Sequence, residues 1–224
     1  MDESGTSMNL IDAFAWIATA ERWAGPGGIW IRLLEHLGIT FLAVFIAAVL
    51  AVPAGILIGH SRKGAGLVGG FTGAFRALPT LGLLTLFGLV LGIGLAAPLL
   101  ALVILAIPSL LAGAYSGIQS IDPVIPGAAR AIGMSPSQVI RKVEIPLAMP
   151  VMVGGLRAAV LQVVATATMA AYTADVGLGR YLFAGMKTRD YPQMIASALL
   201  VTALAIILEL TLGFIQRRVR NPHV

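Results

Sequence analysis

Long runs of apolar residues, separated by short polar segments, make up most of this chain. Residues 37–59 form one run without a charged side chain, and residues 77–121 form a second. A helix needs about 20 apolar residues to cross the roughly 30 Å hydrocarbon core of a bilayer. The first run therefore predicts one membrane-spanning helix, whereas the second is long enough for two.

The second run divides where glycines and a proline favour a tight turn, at Gly92-Ile-Gly-Leu-Ala-Ala-Pro98. This division predicts one span near 78–95 and another near 98–119. The preceding segment, 65–77, is short, and we expect it to lie at the membrane interface unless it inserts as a sixth span.

Two further apolar runs complete the pattern, at 148–172 and 191–216. Each contains a single charged residue, Arg157 in the first run and Glu209 in the second. The pattern as a whole predicts an all-α, polytopic membrane protein with about five core transmembrane helices.

The composition agrees with this prediction and excludes several other classes of protein. The chain is 58% hydrophobic, only 11% charged and free of cysteine, whereas about a quarter of the residues of a soluble domain are charged. A soluble enzyme, a disordered tail and a disulfide-stabilised secreted domain are therefore excluded. The net charge is +5, but the basic residues stand at the ends of apolar runs and so indicate membrane topology rather than nucleic-acid binding.

The positions of the basic residues predict the orientation of the chain. Five spans place three basic segments on the same side: Arg62 and Lys63; Arg130, Arg141 and Lys142; and Arg217, Arg218 and Arg220. The other side holds an uncharged turn, a mixed-charge loop and an N-terminus with more acidic character. The positive-inside rule therefore places the N-terminus outside and the C-terminus in the cytoplasm.

Three regions follow from the spans. Residues 1–36 are an N-terminal segment, 37–216 a transmembrane domain that includes the loop 120–147, and 217–224 a cytoplasmic tail. The first region holds all three tryptophans beside apolar residues at helical spacing, which favours a helix that lies partly at the membrane interface, with a frayed terminus as the alternative. It is not a cleavable signal peptide, because its start is acidic and no long apolar core follows.

The loop 120–147 carries a dense set of helix start and stop signals. Asp122 is suited to cap a first helix with Pro123 at its first position, and Gly133 is suited to end that helix in the left-handed conformation. The segment Ser135-Pro-Ser-Gln138 then forms a capping box for a second helix, which we expect Pro146 to end. These signals predict a compact helix-turn-helix on the cytoplasmic side, between the third and fourth spans.

This helix-turn-helix is either a well-capped connection without a partner or a docking element for another protein. DNA binding is unfavourable because both of its ends are tethered to spanning helices. Small residues at Gly127, Ala128 and Ala129 allow close approach of a partner surface. The basic residues Arg130, Arg141 and Lys142 are suited to pair with acids on that surface.

The loop also resembles the Glu-Ala-Ala-x3-Gly-x9-Ile-x-Leu-Pro signature of ABC importer permeases of the methionine-importer-like fold. The match consists of Ala128-Ala129, Gly133, Val143, Ile145 and Pro146 at the family spacing. Gly127 stands where the family usually has glutamate, while Val143 and Ile145 are conservative replacements. The resemblance implies that 120–147 is the loop that couples the permease to an ATPase, and the name coupling loop is used for it below.

The resemblance extends over roughly residues 33–216 and points to the osmoprotectant branch of the permeases. The matching segments are Glu35-His36-Leu37, Arg76-Ala-Leu-Pro79-Thr80, Gly92-Ile-Gly94, Lys142-Val-Glu-Ile-Pro-Leu-Ala-Met-Pro150, Gly155-Leu-Arg157 and Gly177-Leu-Gly179. It implies import of glycine betaine, choline, carnitine or related solutes across a bacterial plasma membrane. It further implies three kinds of partner: cytoplasmic ATPase subunits, a second identical or paralogous permease, and an extracytoplasmic solute-binding protein.

The resemblance implies a transport subunit and not an enzyme, and the residue types that the chain lacks also support this expectation. The segment nearest to a P-loop, Gly59-His-Ser-Arg-Lys-Gly64-Ala65, lacks the phosphate-binding lysine and hydroxyl positions. The three histidines are too scattered for a metal site, and no nucleophile motif is present. We therefore expect this chain to bind no cofactor, with ATP and Mg²⁺ held by a separate ATPase subunit.

Arg157 and Glu209 lie at similar depths, about 10–14 Å from the cytoplasmic ends of their spans at about 1.5 Å per residue. Charges this deep usually face a partner or water. We therefore expect the two side chains to approach each other or to share a polar cluster, with snorkelling to the interface as the alternative, especially for Arg157.

Other polar and small residues within or beside the spans are candidates for the transport pathway and its outer gate. Pro79 and Thr80 are suited to form a kink that lines the pathway, and the fourth span offers the polar side chains of Thr166, Thr168 and Tyr172. Threonines in spans often bond only to their own backbone, and packing is the alternative role for Tyr172. We place the external gate in the outer loop, which runs from Asp175 to Arg189. Gly177 and Gly179 are expected to give this loop backbone freedom.

Glycine pairs at a spacing of four residues permit close helix packing, either within the chain or between two permeases. The pairs considered are Gly66 with Gly70, Gly69 with Gly73, and Gly88 with Gly92.

Two other function classes remain as alternatives. An ion-gradient-driven transporter or channel is expected to contain inverted repeats and several intramembrane acids, whereas Glu209 is the intramembrane acid that this pattern offers. The other alternative is a membrane scaffold that does not transport and uses the capped loop as an adaptor site.

Overall fold

A computed structural model describes residues 3–220 of the chain, with side chains described for residues 10–219, and every regular element in this range is helical. The α-helices are α1 (Glu3–Ala18), α2 (Ile29–His60), α3 (Ala65–Arg76), α4 (Thr80–Leu91), α5 (Ala96–Gln119), α6 (Val124–Ala131), α7 (Pro136–Val139), α8 (Ile145–Thr166), α9 (Gly179–Thr188) and α10 (Tyr191–Arg220). Short 3₁₀ helices cover Ala20–Arg22 and Ala167–Tyr172, and a π-helical turn covers Ile140–Glu144.

Four of the described helical segments are long and apolar enough to cross a membrane. They are Ile29–His60, Ala96–Gln119, Pro136–Tyr172 and Tyr191–Val219. A fifth candidate is the pair α3 and α4, which passes the same test together but bends by 78° at its break. With this pair counted as one span, the number of candidates agrees with the predicted five, although several of their boundaries differ from the prediction.

The prediction of one continuous helix over 78–95 is wrong, because α4 covers only 12 residues. At about 1.5 Å per residue it is roughly 18 Å long, too short to cross the bilayer as a straight helix. Pro79 disfavours helical backbone at the residue before it, which separates α3 from α4. At the other end Gly92 adopts a φ of +81° and ends α4, so the predicted turn between Gly92 and Pro98 is confirmed.

The prediction that Pro146 ends the second loop helix is also wrong. The helical path continues from α7 through the π-turn at Ile140–Glu144 into α8, in which Pro146 is the second residue. Proline lacks an N–H group and clashes with the carbonyl of residue i−4 in a regular α-helix. The wider π-turn immediately before Pro146 accommodates the missing N–H group and the bulk of the ring. The helix therefore changes its hydrogen-bonding pattern and continues instead of ending.

The chain divides into two compact units, to which α2, α5, α8 and α10 each contribute residues. The first unit comprises Met1–Ala43, Pro79–Leu102 and Val163–Ile207. One of its clusters buries Ala13 and Trp16 of α1 with Ile29 and Ala196. Trp16 is 7% exposed, so the C-terminal part of α1 packs into this unit. The position of α1 at a membrane interface stays a prediction.

The second unit comprises Val44–Leu78, Val103–Gln162 and Leu208–Val224. Its buried cluster joins Ile56 of α2, three residues around the end of α5, and Ala148 of α8. Two glycine pairs let these helices approach closely. A β-carbon at Gly55 or Gly59 would lie 2.7 Å from the Ala114 Cβ or 2.8 Å from the Ile118 Cβ, respectively. A β-carbon at Gly113 would lie 2.7 Å from the Gly155 Cα, and one at Gly117 would lie 3.0 Å from the Ala148 carbonyl oxygen.

The glycine pairs of α3 make no close helix contact with the part of the chain that the structure describes. A β-carbon at any of Gly66, Gly69, Gly70 and Gly73 would meet no described atom within 4 Å. The intrachain role considered for these pairs is therefore wrong. The close contacts fall instead at Gly55 with Gly59 and at Gly113 with Gly117, which have the same four-residue spacing.

Alanine at Gly113 and alanine at Gly70 are expected to change the stability of the purified chain in opposite directions. The β-carbon at Gly113 would meet backbone atoms of α8, and such overpacking costs roughly 1–3 kcal/mol. At Gly70 there is open space, so alanine adds about 0.5–1 kcal/mol through its higher helix propensity. Thermal unfolding of both variants in detergent measures the two shifts, and shifts of the same sign would contradict the described packing of α5 on α8.

Candidate functional site

The first half of the coupling loop has the predicted capped geometry. The Asp122 carboxylate accepts a hydrogen bond from the Val124 N–H at 2.9 Å, and α6 begins at Val124, one residue later than predicted. Gly133 adopts a φ of +90°, and its N–H donates to the Arg130 carbonyl at 3.0 Å. The expected left-handed ending of the first helix is confirmed.

The predicted capping box at the start of α7 is also present. The Gln138 N–H donates to the Ser135 Oγ at 3.4 Å, and the Ser135 N–H donates to the Gln138 side-chain oxygen at 2.8 Å. These reciprocal bonds satisfy two N–H groups that a helix start leaves without an intrahelical partner. The turn between α6 and α7 is therefore held by its own side chains.

The exposed surface of the loop is small and apolar with basic residues around it. Gly127, Ala128, Arg130 and Gly133 are exposed, whereas Ala129 is buried beneath them. Three large apolar side chains of the same surface are also exposed, namely Val124, Ile125 and Ile132. Sequence reasoning missed these three, although Ile132 stands directly before the glycine that ends the helix. Uncovered apolar side chains of this kind are typical of protein contacts.

The second half of the family signature is attached to the second unit through Ile145. Val143 is half-buried, and Ile145 packs against the buried cluster around Ile56 and Ala148. Pro146 is exposed at the start of α8. The signature thus has an exposed part at Gly127–Gly133 and a part at Val143–Pro146 that attaches it to the helical core.

Arg157 and Glu209 form the predicted ion pair. The Arg157 Nε donates to the Glu209 Oε2 at 2.7 Å, and the Arg157 Nη2 donates to the Glu209 Oε1. Arg157 also donates to the Gln216 side-chain oxygen at 3.0 Å. Both charged side chains are 34% exposed, so the pair is partly removed from water, and its hydrogen bonds compensate for that cost. The expected approach of the two side chains is therefore confirmed.

The outer loop is held by a second group of charges, at the start of α2. The Asp175 carboxylate pairs with Arg32 at 3.2 Å and with Arg180 at 2.8 Å. Arg32 also donates to the Asp175 carbonyl at 2.5 Å and pairs with Glu35 at 2.9 Å. Sequence reasoning proposed Asp175 for the gate but did not find its pairing with Arg32, because the two residues are 143 positions apart in the chain.

Gly177 and His36 fix the next residues of this loop. Gly177 adopts a φ of +76°, and its N–H donates to the Glu35 carboxylate at 2.9 Å. The His36 Nδ1 accepts from the Leu178 N–H at 3.3 Å, while its Nε2 lies 2.8 Å from the Val164 carbonyl oxygen. Since one partner donates and the other accepts, the geometry requires the neutral tautomer with its proton on Nε2. The loop is thus bonded to successive residues of α2.

Gly179 does not provide the backbone freedom that the sequence predicts for it. It is buried at the start of α9, and a β-carbon there would lie 2.0 Å from the Thr168 carbonyl oxygen. The absence of a side chain therefore permits close packing, while the unusual backbone conformation belongs to Gly177.

The α9 helix is fixed at Tyr181. Its hydroxyl donates to the Gly27 carbonyl at 2.6 Å, and its ring lies edge-on to Trp16 at 5.1 Å. Burial raises the pKa of the Tyr181 hydroxyl above its ordinary value, so it stays protonated and able to donate.

The proposed pathway residues are only partly brought together. Thr80 and Thr166 line the same small gap, beside Leu84 and Met169. Pro79 precedes α4 with extended backbone. Thr168 donates to its own backbone at Ala165, at 2.9 Å, as the alternative reading of such threonines expects. Tyr172 is 60% exposed and packs beside the Phe183 ring at 5.7 Å.

Comparisons with known proteins agree with this architecture. The family model described as "Binding-protein-dependent transport system inner membrane component" matches residues 51–221. The choline transport system permease protein OpuBB of Bacillus subtilis (strain 168) is 32% identical over 192 residues, which cover 86% of this chain and 88% of that protein. The glycine betaine/carnitine/choline transport system permease protein OpuCB of the same organism is 35% identical over 185 residues, 83% of this chain and 85% of that protein.

A solved structure has the same fold. A chain of the MetNI methionine ABC transporter in an inward-facing conformation superposes with a TM-score of 0.74 at 24% identity, covering 88% of this chain and 99% of that one. With the match over residues 51–221, these findings show that the chain belongs to the family of inner-membrane components of binding-protein-dependent transport systems.

Proposed function

We propose that this chain is the permease subunit of an ATP-driven importer for osmoprotectants such as glycine betaine, choline or carnitine. As a member of its family it is a multi-pass inner-membrane transport component and not an enzyme, and it works with ATPase and solute-binding partners. The observation that carries the proposal is the exposed, self-capped helix-turn-helix at 120–147, which bears the permease signature and continues directly into α8.

The substrate class is supported by the relatives. Two permeases that are 32% and 35% identical to this chain are named for transport of choline, and of glycine betaine, carnitine and choline. Both alignments cover more than four fifths of this chain. We propose the same class of small quaternary amines and zwitterions for this permease.

The proposed mechanism assigns chemistry and movement to different subunits. ATP and Mg²⁺ are bound and hydrolysed by the ATPase partner, whose movement acts on the exposed face of α6. Because Gly127 replaces the family's glutamate, we propose that docking depends on the apolar side chains Val124 and Ile132, with Arg130 at the rim. The N-terminus lies outside and the C-terminus in the cytoplasm, which puts the coupling loop on the side of the ATPase.

Two further assignments complete the proposal. A second permease, identical or paralogous, pairs with this one, since five short spans enclose little space. The pathway includes Pro79, Thr80, Thr166, Thr168 and Tyr172. The outer loop, held on α2 by Arg32 and Glu35, forms the external gate that the solute-binding protein opens.

Reconstitution tests this function. The chain is co-purified with its ATPase subunit, placed in vesicles with the solute-binding protein, and assayed for uptake of labelled glycine betaine, choline and carnitine. We expect uptake that requires ATP and the binding protein. Uptake driven by an ion gradient without ATP would favour the gradient-driven alternative, and assembly without any uptake would favour a scaffold.

A further inference from the structure

The coupling loop contains one buried carboxylate. Glu144 is the last residue of the π-turn and is 1% exposed, whereas the neighbouring Arg141 and Lys142 are exposed. A buried carboxylate is unfavourable unless a hydrogen-bond donor or a positive charge compensates it. Glu144 therefore needs a partner from another part of the second unit.

That partner is His60, the last residue of α2. Its Nδ1 lies 2.7 Å from the Glu144 Oε2, and the side chain is 20% exposed. The residues are 84 positions apart in the chain. His60 lies in the segment Gly59–Ala65, whose glycines resemble a P-loop only superficially. The hydrogen bond to Glu144 gives this segment a different role.

The pair joins the two elements at the point where the coupling loop enters α8. The surrounding contacts between α2 and this segment are apolar and involve Ile56, Ile145 and Ala148. Apolar contacts are not directional and allow surfaces to slide. A bond between His60 and a buried carboxylate has a preferred distance and direction, so it fixes the position of the π-turn against the end of α2.

Two hydrogen bonds from side chains to backbone carbonyls hold the same end of α2 against the end of α5. The Gln119 side chain donates to the Gly59 carbonyl at 3.0 Å, and Arg62 donates to the Ile121 carbonyl at 2.9 Å. The close approach at Gly59 adds to this attachment. A displacement of the π-turn that keeps the His60–Glu144 bond therefore moves the end of α2 and, with it, the end of α5.

We propose that His60 and Glu144 are positioning residues that transmit the movement of the coupling loop to the membrane helix α2. This inference rests on the proposed function as an ATP-driven permease. The pair takes no part in binding ATP or solute. Its role is to keep the π-turn and α2 moving together when the ATPase acts on the exposed part of the loop.

The test uses the complete importer in vesicles, with ATP hydrolysis and solute uptake measured on the same samples. The variants are His60→Ala, His60→Gln, Glu144→Gln and the exchanged pair His60→Glu with Glu144→His. Ser61→Ala is the matched control, because the Ser61 hydroxyl is exposed and donates within its own turn to Ile58 at 2.8 Å. Assembly with the ATPase is checked for each variant by size-exclusion chromatography.

We expect His60→Ala and Glu144→Gln to lower the amount of solute taken up per ATP about tenfold, within the 5–150-fold range of typical coupling free energies. ATP hydrolysis should continue, His60→Gln should retain more coupling because its amide still donates, and the exchanged pair should recover most of the lost uptake. Ser61→Ala should behave as the unchanged protein.

Three results would overturn the inference: unchanged uptake per ATP in His60→Ala, an equal loss of uptake and hydrolysis in all single variants, or no recovery in the exchanged pair. If His60→Ala does not assemble, the same comparison is made with His60→Gln and Glu144→Gln. Failure of the unchanged complex to take up solute with ATP would instead contradict the proposed function, so the two failures are distinguishable.

Discussion

Replacing Gly133 with proline is expected to uncouple ATP hydrolysis from uptake while the chain still inserts and assembles. Gly133 has a φ of +90°, whereas proline fixes φ near −65°. The substitution also removes the N–H that donates to the Arg130 carbonyl at 3.0 Å. Both effects displace α6 relative to α7, and uptake per ATP should fall about tenfold or more.

A matched substitution separates local strain from the loss of coupling. Gly25 is exposed and has a φ of +87°, so Gly25→Pro introduces the same backbone conflict outside the coupling loop. We expect Gly25→Pro to lower the thermal stability but to keep the ratio of uptake to hydrolysis. Equal ratios in Gly133→Pro and the unchanged protein would contradict the role of the loop in coupling.

Breaking the Arg157–Glu209 pair is expected to destabilise the protein more than removing both charges. Loss of one partner from a fully buried pair costs about 3–5 kcal/mol, and we expect roughly 1–3 kcal/mol here because both side chains are one-third exposed. For a chain of this length about 2–4 °C of Tm corresponds to each kcal/mol. Glu209→Met leaves the Arg157 guanidinium without its counter-charge, although its bond to the Gln216 side-chain oxygen remains.

The double variant Arg157→Met with Glu209→Met tests the pairing itself. Thermal unfolding in detergent should place its Tm above that of either single variant, since no unpaired charge remains. Glu21→Met, at an exposed acid of the N-terminal segment, should change the Tm little. Additive losses in the double variant would mean that the two side chains stabilise the protein independently.

Local signals in the sequence predicted the parts of the structure that depend on neighbouring residues. The capping box at Ser135 and Gln138 and the left-handed Gly133 follow from residue types within a few positions. The number of candidate spans follows from the lengths of the apolar runs, and similar depth was enough to pair Arg157 with Glu209. These predictions require no knowledge of which helices are neighbours.

The features that the sequence did not predict depend on which helices are neighbours in the fold. Gly55 and Gly113 are ordinary glycines of apolar runs until α2, α5 and α8 are packed together. His60 and Glu144 are 84 residues apart, and Glu35 and Gly177 are 142 apart. The boundary errors at Pro79 and Pro146 also depend on the surrounding structure. Pro79 interrupts the helix, whereas Pro146 is accommodated within a helix by the preceding π-turn.

The π-turn at Ile140–Glu144 also absorbs one residue in this part of the chain. A π-turn holds one residue more than regular α-helical geometry, and each residue of an α-helix corresponds to a rotation of about 100°. Deleting one residue within the π-turn is therefore expected to restore a regular helix and to leave the orientation of α6 and α7 nearly unchanged, whereas deleting one residue from the regular helix that follows turns them by about 100° about the axis of α8. Insertions and deletions in α8 are thus expected to be far less tolerated than substitutions, because the count of residues outside the π-turn sets the angular phase between the docking surface and the membrane helix.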